Sequence, residues 1–535
     1  MIVDSIPVSG EVNILVGDEV AGLLSDDTFL RSWDELYRSC RWATPFQSKE
    51  FVTTWYRVYE EKYVPILITK RVNGALKGIL PLAKANSRPV IYGAGELNAE
   101  YHAWLSSEDD KNAFIKAALI AVQNDFPDCI IELRYIPSTT PVAWLKSDKD
   151  WKFKSVIRKI DQPLIALNEA HFEEKLNTKA KRKIIRRLQE QGELKFERVS
   201  DITTFAYFLD EIITQSDFRK AAMYNKTPFR DDPQKKQLTL ALFEKGLLEL
   251  TVLTLNNQLI ASKIITVDKD WGYLKGGLSQ APQFARLSPG LLHFLMLGKF
   301  LAGEGKTVFD LTPGGDPYKD QLATDHAWVY HVWIVPQKRT YLKLAAAEFV
   351  KKILRKVLTA KGINVKRFKT RVIKAKELIR RKGVFNGIRG IIAGKRAERN
   401  LSTYMIQPEE TPAFSSLISR DNLNHLLQFL PDGSSVSRWE FLADAMKRLE
   451  TGGHVYSTVA NGRLQACAWQ GKSPSPDDGV LTLEGLYCYP SFRDDFAAFL
   501  GAVAQEISGG SSSTGVLTVV EADDTALNRI LSHAA

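Results

Sequence analysis

Two apolar runs, Leu248–Leu255 and residues 259–267, flank the pair Asn256-Asn257, and no other feature constrains the fold of this chain as tightly. Each run is of strand length and rich in leucine and β-branched residues. The Asn-Asn pair tolerates the left-handed backbone of a tight turn, so the segment predicts a β-hairpin. Residues 271–277 predict a third strand beside it. Ser288-Pro289-Gly290 then opens an apolar helix over residues 289–302, with proline at the one position where a missing N–H costs nothing. A short buried strand over 307–311 and a final strand over 326–336 complete the unit. Antiparallel strands, then a helix, then another strand require a crossover, which predicts an α/β (α+β) fold with mixed, mainly antiparallel sheets.

A helix N-terminus presents unpaired N–H groups and the positive end of the helix dipole, a seat for a pyrophosphate or another anion. Arg286, Ser288, Gly290 and Leu291 stand there. The segment Phe309-Asp-Leu-Thr-Pro-Gly-Gly-Asp-Pro-Tyr-Lys319 follows the next strand and brings carboxylates, glycines and a Tyr-Lys pair beside that seat. The layout suits acyl transfer. Lys319 would neutralise a donor phosphate or stabilise an oxyanion, Asp310 and Asp316 are candidate bases, and Tyr318 would hydrogen-bond the substrate. Each has a plainer reading: Ser288 as a simple N-cap, Lys319 as a surface lysine, the aspartates as strand-end and turn residues, and Tyr318 as a packing residue.

The chain has 535 residues, too many for one core, and its 44% apolar and 25% charged residues are ordinary for a globular protein. No apolar run is long enough to span a membrane. The N-terminal segment lacks the features of a secretory signal. The four cysteines are scattered without metal-ligand spacing. These features predict a reduced, cytoplasmic protein without metal. The net charge of +10 is concentrated: residues 338–399 hold 21 Lys/Arg against three Glu, a balance of +18, leaving −8 for the rest.

Four regions are expected. Residues 1–162 form a first α/β lobe, with helices over 29–41 and 49–59, a hairpin through Asn73-Gly74, a helix over 109–126 and a strand over 129–135. Residues 163–337 form the second lobe, opening with a basic helix over 168–191. Residues 338–399 form a basic helical segment with apolar residues at three- and four-residue steps. Residues 400–535 form a smaller lobe with a hairpin through Asn461-Gly462. The first lobe repeats the hairpin–helix–strand order of the second, which suggests a duplication at the level of fold.

Residues 176–188 (Leu-Asn-Thr-Lys-Ala-Lys-Arg-Lys-Ile-Ile-Arg-Arg-Leu), Arg286-Leu-Ser-Pro-Gly-Leu-Leu292, Phe309-Asp310 and Asp316-Pro-Tyr-Lys319 resemble the GNAT-like acetyltransferase domain of the CelD family of bacterial polysaccharide-biosynthesis proteins, relatives of the Fem aminoacyltransferases. Thr44-Pro-Phe-Gln-Ser48, Gly78-Ile-Leu-Pro-Leu82, Gly93 and Tyr101-His102 match that family's usual N-terminal half. The resemblance implies tandem GNAT-like acyltransferase lobes with acetyl-CoA or another acyl-CoA as donor. It implies an amino or hydroxyl acceptor on a sugar or polysaccharide precursor, with Tyr101, His102, Lys179 and Arg182 as candidate acceptor contacts. The chain departs from the usual pyrophosphate loop, since only Gly290 stands at the helix start, and an aminoacyl-tRNA donor is the alternative. The corner Tyr489-Pro-Ser-Phe-Arg-Asp-Asp495 has no glycine and two carboxylates, so the C-terminal lobe reads as a degenerate GNAT-like domain.

No Ser-His-Asp or Cys-His set is visible, so transfer would be direct, without a covalent enzyme intermediate. A non-catalytic accessory of an envelope-polysaccharide assembly is the other class. For residues 338–399 an anionic membrane surface fits best, which would place the protein peripherally on the inner face of the membrane. RNA comes second and a charged linker third.

Overall fold

The computed structural model describes residues 11–110, 112–275, 279–363, 368, 370, 372–373, 375–376, 379, 401–406, 417–431, 436–471, 481–508, 516–521 and 525–534. Fourteen strands join in one sheet. The first half contributes β1 (Val12–Val16), β2 (Tyr63–Val72), β3 (Ala75–Ala85), β4 (Val90–Gly93), β5 (Leu105–Ser106), β6 (Ile130–Pro137) and β7 (Ser155–Ala166). The second contributes β8 (Leu194–Val199), β9 (Leu248–Leu255), β10 (Gln258–Val267), β11 (Trp271–Leu274), β12 (Ser279–Gln280), β13 (Val308–Asp310) and β14 (Asp325–Ile334).

The two halves repeat one plan. β2, β3 and β4 are antiparallel neighbours, and β6 returns parallel to β4 after the helix Ala113–Asp125. Likewise β9, β10 and β11 are antiparallel, and β13 returns parallel to β11 after the helix Pro289–Gly303. The closing strands are then exchanged. β7 follows β6 in sequence but pairs with β13 of the other half, and β14 follows β13 but pairs with β6 and, along its whole length, with β7. The expected junction between residues 162 and 163 therefore lies inside β7. One hydrophobic core carries Phe46, Trp55 and Tyr101 of the first half together with Leu209, Leu250 and Tyr273 of the second.

Local chemistry explains the elements. Asn73-Gly74, Asn256-Asn257 and Asn461-Gly462 all take left-handed φ (50° and 82°, 49° and 65°, 50° and 70°), as two-residue hairpin turns require. Ser48 caps the helix Lys49–Val58 by accepting from the Phe51 N–H at 3.2 Å. The basic helix expected over 168–191 is two helices, Glu169–Leu176 and Lys179–Gln189, because Thr178 is extended and starts the second as its N-cap. The strand at β8 and the long strand at β7 were not expected. The basic segment begins as the helix Lys338–Ala360. Most of residues 364–399, including Gly383, lie outside the described residues.

The C-terminal lobe is a separate sheet of β15 (Leu401–Ile406), β16 (Ser419–Arg420), β17 (Val455–Ala460), β18 (Arg463–Gln470), β19 (Leu481–Cys488) and β20 (Val516–Glu521), with β19 and β20 parallel. It docks through its helix Arg438–Glu450 onto the helix Ile202–Tyr224. Leu442, Ala445 and Leu449 share a core with Phe218, Ala221 and Ala222, and the Trp439 indole donates to the Ala222 carbonyl at 2.9 Å.

Gly298 shows how closely the second lobe is packed. A Cβ there would stand 2.3 Å from the Phe172 ring, inside the contact between the Pro289–Gly303 and Glu169–Leu176 helices. Gly298→Ala is expected to destabilise the protein by ~1–3 kcal/mol through overpacking. An unchanged unfolding midpoint in denaturant would contradict that packing.

Candidate active site

The pairing of β11 with β13 ends at Tyr273↔Asp310, and Asp310 is the last residue of its strand. Its carboxylate is fully buried. It accepts the Tyr101 hydroxyl at 2.5 Å, the Gln162 amide at 2.7 Å and the Thr312 backbone N–H at 2.7 Å. Tyr101 comes from the first lobe, Gln162 from the exchanged strand β7 and Asp310 from the second lobe. Burial pushes the Asp310 carboxyl up to about 6, against the pull of its donors. Burial and the neighbouring Asp310 hold the Tyr101 phenol well above its ordinary value, so it keeps its proton and donates.

Lys319 lies on the short helix Pro317–Leu322 and is also buried. Its ammonium donates to the Thr312 carbonyl at 2.9 Å and to the Thr312 hydroxyl at 3.2 Å. Asp310 and Lys319 thus grip opposite ends of one residue, which is held at a left-handed φ of 59°. Gly314 explains the turn beside them: a Cβ there would come within 3.3 Å of the Lys319 ammonium and 3.4 Å of the Asp316 carboxylate. Asp316 occupies the N-cap position of the short helix. Burial, and then Asp316, push the Tyr318 hydroxyl up to about 12.

A cleft of about 900 Å³ opens in front of Tyr101 and Gln162, walled by Tyr37, Arg38, Arg41, Trp42, Tyr273 and neighbouring loops. Tyr101 and Gln162, which hold Asp310, are therefore among the residues that line a space large enough for a substrate. His102, adjacent in sequence, faces elsewhere. Its Nδ1 accepts the Arg134 N–H at 3.0 Å and its Nε2 donates to the Glu96 carbonyl at 3.0 Å, so both ring nitrogens are engaged by backbone. Burial pushes it down to about 3 and keeps it neutral. Gly93 is glycine because a Cβ would sit 2.5 Å from this ring.

The seat at the Pro289–Gly303 helix is narrower than the sequence suggests. Ser288 is at the N-cap position but in the left-handed region, and its side chain makes no cap hydrogen bond. The Leu291 and Leu292 N–H groups both close on the Ser288 carbonyl, at 3.1 and 3.2 Å. With Pro289 lacking an N–H, the Gly290 amide is what remains of the first turn, and the Gln280 side chain lies against its α-carbon. Arg286 turns away, its guanidinium donating to the Thr451 carbonyl of the C-terminal lobe. Neither Gly290 nor Lys319 lines the 900 Å³ cleft. Lys179 and Arg182 lie exposed on the Lys179–Gln189 helix, whose inner residues Ile184, Ile185 and Leu188 pack near Leu292. They belong to the side of this seat, not to the Tyr101 cleft.

Three buried groups beyond the expected set surround these sites. Gln162 is the first. Lys275 is the second: by strand alternation it shares a face with Tyr273, and its ammonium is buried without a hydrogen-bond partner among the described residues. Burial pushes it down to about 8, in the fields of Glu100 and Lys235. Lys263 is the third, pushed down to about 7 by burial and then by Arg219. Burial, and then Lys263, hold the neighbouring His293 well below its ordinary value, and its Nε2 meets both the hydroxyl and the carbonyl of Thr251 at 3.1 Å. A lysine inside the apolar run Ile260-Ala-Ser-Lys-Ile-Ile265 was a signal in the sequence itself. Among the described residues no group of three or more His, Cys, Asp or Glu could hold a metal ion.

Residues 177–320 match the acetyltransferase (GNAT) domain family. The second lobe is thus a GNAT-type acyltransferase fold, and the first repeats its plan. Among solved structures the chain is similar to FemX, with a TM-score of 0.41 and 11% identity over 58% of this chain and 98% of that one. It is similar to the C-terminal domain (DUF2156) of a putative lysylphosphatidylglycerol synthetase from Agrobacterium fabrum, with a TM-score of 0.39 and 14% identity over 60% and 95%. A tandem GNAT protein from the clavulanic acid biosynthesis pathway gives 0.35 and 12% over 60% and 98%. No curated protein matches the sequence.

Proposed function

We propose that the chain is an acyltransferase that moves an acyl group from acyl-CoA or a similar activated donor to an amino or hydroxyl group held in the inter-lobe cleft. The observation that carries this reading is the Tyr101–Asp310–Gln162 cluster, a raised carboxyl held by two residues of the wall of a substrate-sized cleft. The acceptor heteroatom attacks the acyl carbonyl carbon, and the bond to the leaving group breaks as the tetrahedral intermediate collapses. The acceptor proton passes to Tyr101 as the phenol gives its own to Asp310, so the phenol is restored and the carboxylate becomes the acid. Lys319 does not line the cleft but is tied to the cluster through Thr312, whose N–H donates to Asp310 and whose carbonyl accepts from the ammonium. Asp316 and Tyr318 shape the turn that carries Lys319. The resemblance to polysaccharide-biosynthesis proteins supports a sugar acceptor.

The donor seat supports a second reading. The Gly290 amide alone is a weak cradle for a pyrophosphate, and Arg286 is engaged by the C-terminal lobe. A Fem-like transfer from aminoacyl-tRNA needs no such cradle. Calorimetry with acetyl-CoA and with aminoacyl-tRNA separates the donors, and a radiolabelled acyl group followed onto amino sugars reports transfer. Tyr101→Phe is expected to keep the fold and lower turnover at least ~100-fold. Full turnover in that variant would remove the proton route. Binding of neither donor would favour an accessory role in polysaccharide assembly.

A further inference from the structure

The helix Lys338–Ala360 has two unlike faces. Its inner face is tied to the sheet: Glu348 accepts from Arg158 of β7 at 3.2 Å and from Lys351 at 2.7 Å, and Tyr341 meets Phe153 edge-on at 6.0 Å. Glu348 is the helix's one acid against seven Lys/Arg, and it is already engaged. The opposite face is apolar and, among the described residues, exposed. Leu342, Val350, Ile353, Leu354 and Val357 share this face and are 46–62% exposed, and Phe349, 64% exposed, stands at its edge beside the groove. Water would not retain so large an apolar stripe on a surface helix without a further partner.

Between this helix and β7 runs a groove of about 700 Å³. Lys146, Lys152 and Lys159 line it from the first lobe, and Lys352, Arg355 and Lys356 from the helix. Among the described residues none of these six has a carboxylate within ion-pairing distance, and all are exposed. Phe153, 52% exposed, stands at the groove's rim. Cations flanking an apolar stripe match an anionic lipid leaflet, which offers phosphate at the waterline and acyl chains beneath it. A nucleic acid would satisfy the cations but not the aliphatic stripe, since base stacking calls for aromatic side chains.

We propose that this groove and the outer face of the helix form a docking surface for an anionic phospholipid bilayer. Lipid phosphates sit among Lys152, Lys159, Lys352 and Lys356 while Phe349, Val350, Ile353 and Val357 enter the acyl boundary. The first lobe contributes to the surface, so docking fixes the orientation of the inter-lobe cleft relative to the membrane. No helix among the described residues is long and apolar enough to cross a membrane, so the attachment is peripheral.

Co-sedimentation of the full chain with vesicles tests this directly. Vesicles of phosphatidylcholine mixed with one-third phosphatidylglycerol are expected to bind the protein, pure phosphatidylcholine vesicles to bind it far less, and salt to release it. Each of Lys352→Gln and Lys159→Gln should weaken partition about fivefold. Ile353→Asp, at an exposed position, should abolish partition while leaving the unfolding midpoint unchanged. Indifference to lipid charge, or retained binding by Ile353→Asp, overturns the proposal. So does single-stranded RNA that binds more tightly than the anionic vesicles and equally well to Ile353→Asp, which would mark a nucleic-acid surface.

Discussion

Asp310→Asn is expected to lower acyl transfer by ~10²–10⁴-fold, because it removes the terminal proton acceptor and leaves the cleft intact. The same change should make the protein more stable at neutral pH. The native carboxyl, raised to about 6 from an ordinary 3.8, binds its proton more tightly when folded than when unfolded. Between those values the folded state holds more protons, so this group's contribution to stability falls as pH rises from about 4 to about 6 and stays lost above that. The difference corresponds to ~3 kcal/mol in the wild-type protein. In Asp310→Asn the fall should vanish from the pH profile of denaturant unfolding. Wild-type turnover, in contrast, should rise with pH through about 6 as the base ionises. A variant that is less stable at neutral pH and fully active would refute the assignment of Asp310 as the base.

Lys263→Met carries the second large effect, with the opposite pH sign. The folded ammonium is pushed down to about 7 from 10.5, so between those values the unfolded chain binds the additional proton. Stability therefore rises as pH climbs from about 7 to about 10.5, and the charge is a burden below that window. Replacing the ammonium by a thioether of similar length relieves the burial penalty and the repulsion from Arg219. The variant should gain ~2–4 kcal/mol at neutral pH, and the gain should shrink at alkaline pH. Equal unfolding midpoints for the two proteins at both pH values would show that Lys263 is better solvated than its burial implies. A buried ammonium kept at such a cost points to use, and the stabilised variant should also be compared for donor binding.

The site was legible in parts but not as a whole. Tyr101 and Asp310 were both visible as candidates, one after a glycine loop and one at a strand end, yet nothing local says that they share a hydrogen bond across 209 residues of sequence. Gln162 left no trace because a glutamine in a polar-flanked run has no distinctive spacing, and β7 itself was unexpected. His102 looked like a ligand contact in sequence, but its two nitrogens answer backbone groups of the first lobe. Ser288 has the sequence context of a cap, but its backbone is left-handed and its side chain makes no cap hydrogen bond.

Spacing along the chain decided the elements: apolar runs of strand length, Asn-rich turns with left-handed φ, Ser48 at a helix start, and the hairpin–helix–strand order that occurs twice. These depend on backbone sterics and on neighbours within a few residues, which a sequence states directly. The exchange of β7 and β14, the burial of Lys263 and Lys275, and the closing of the Leu291 amide on Ser288 depend on which distant surfaces meet. Such contacts are selected by the total area buried and by the demand that every interior polar group find a partner. Only the folded chain satisfies those demands together.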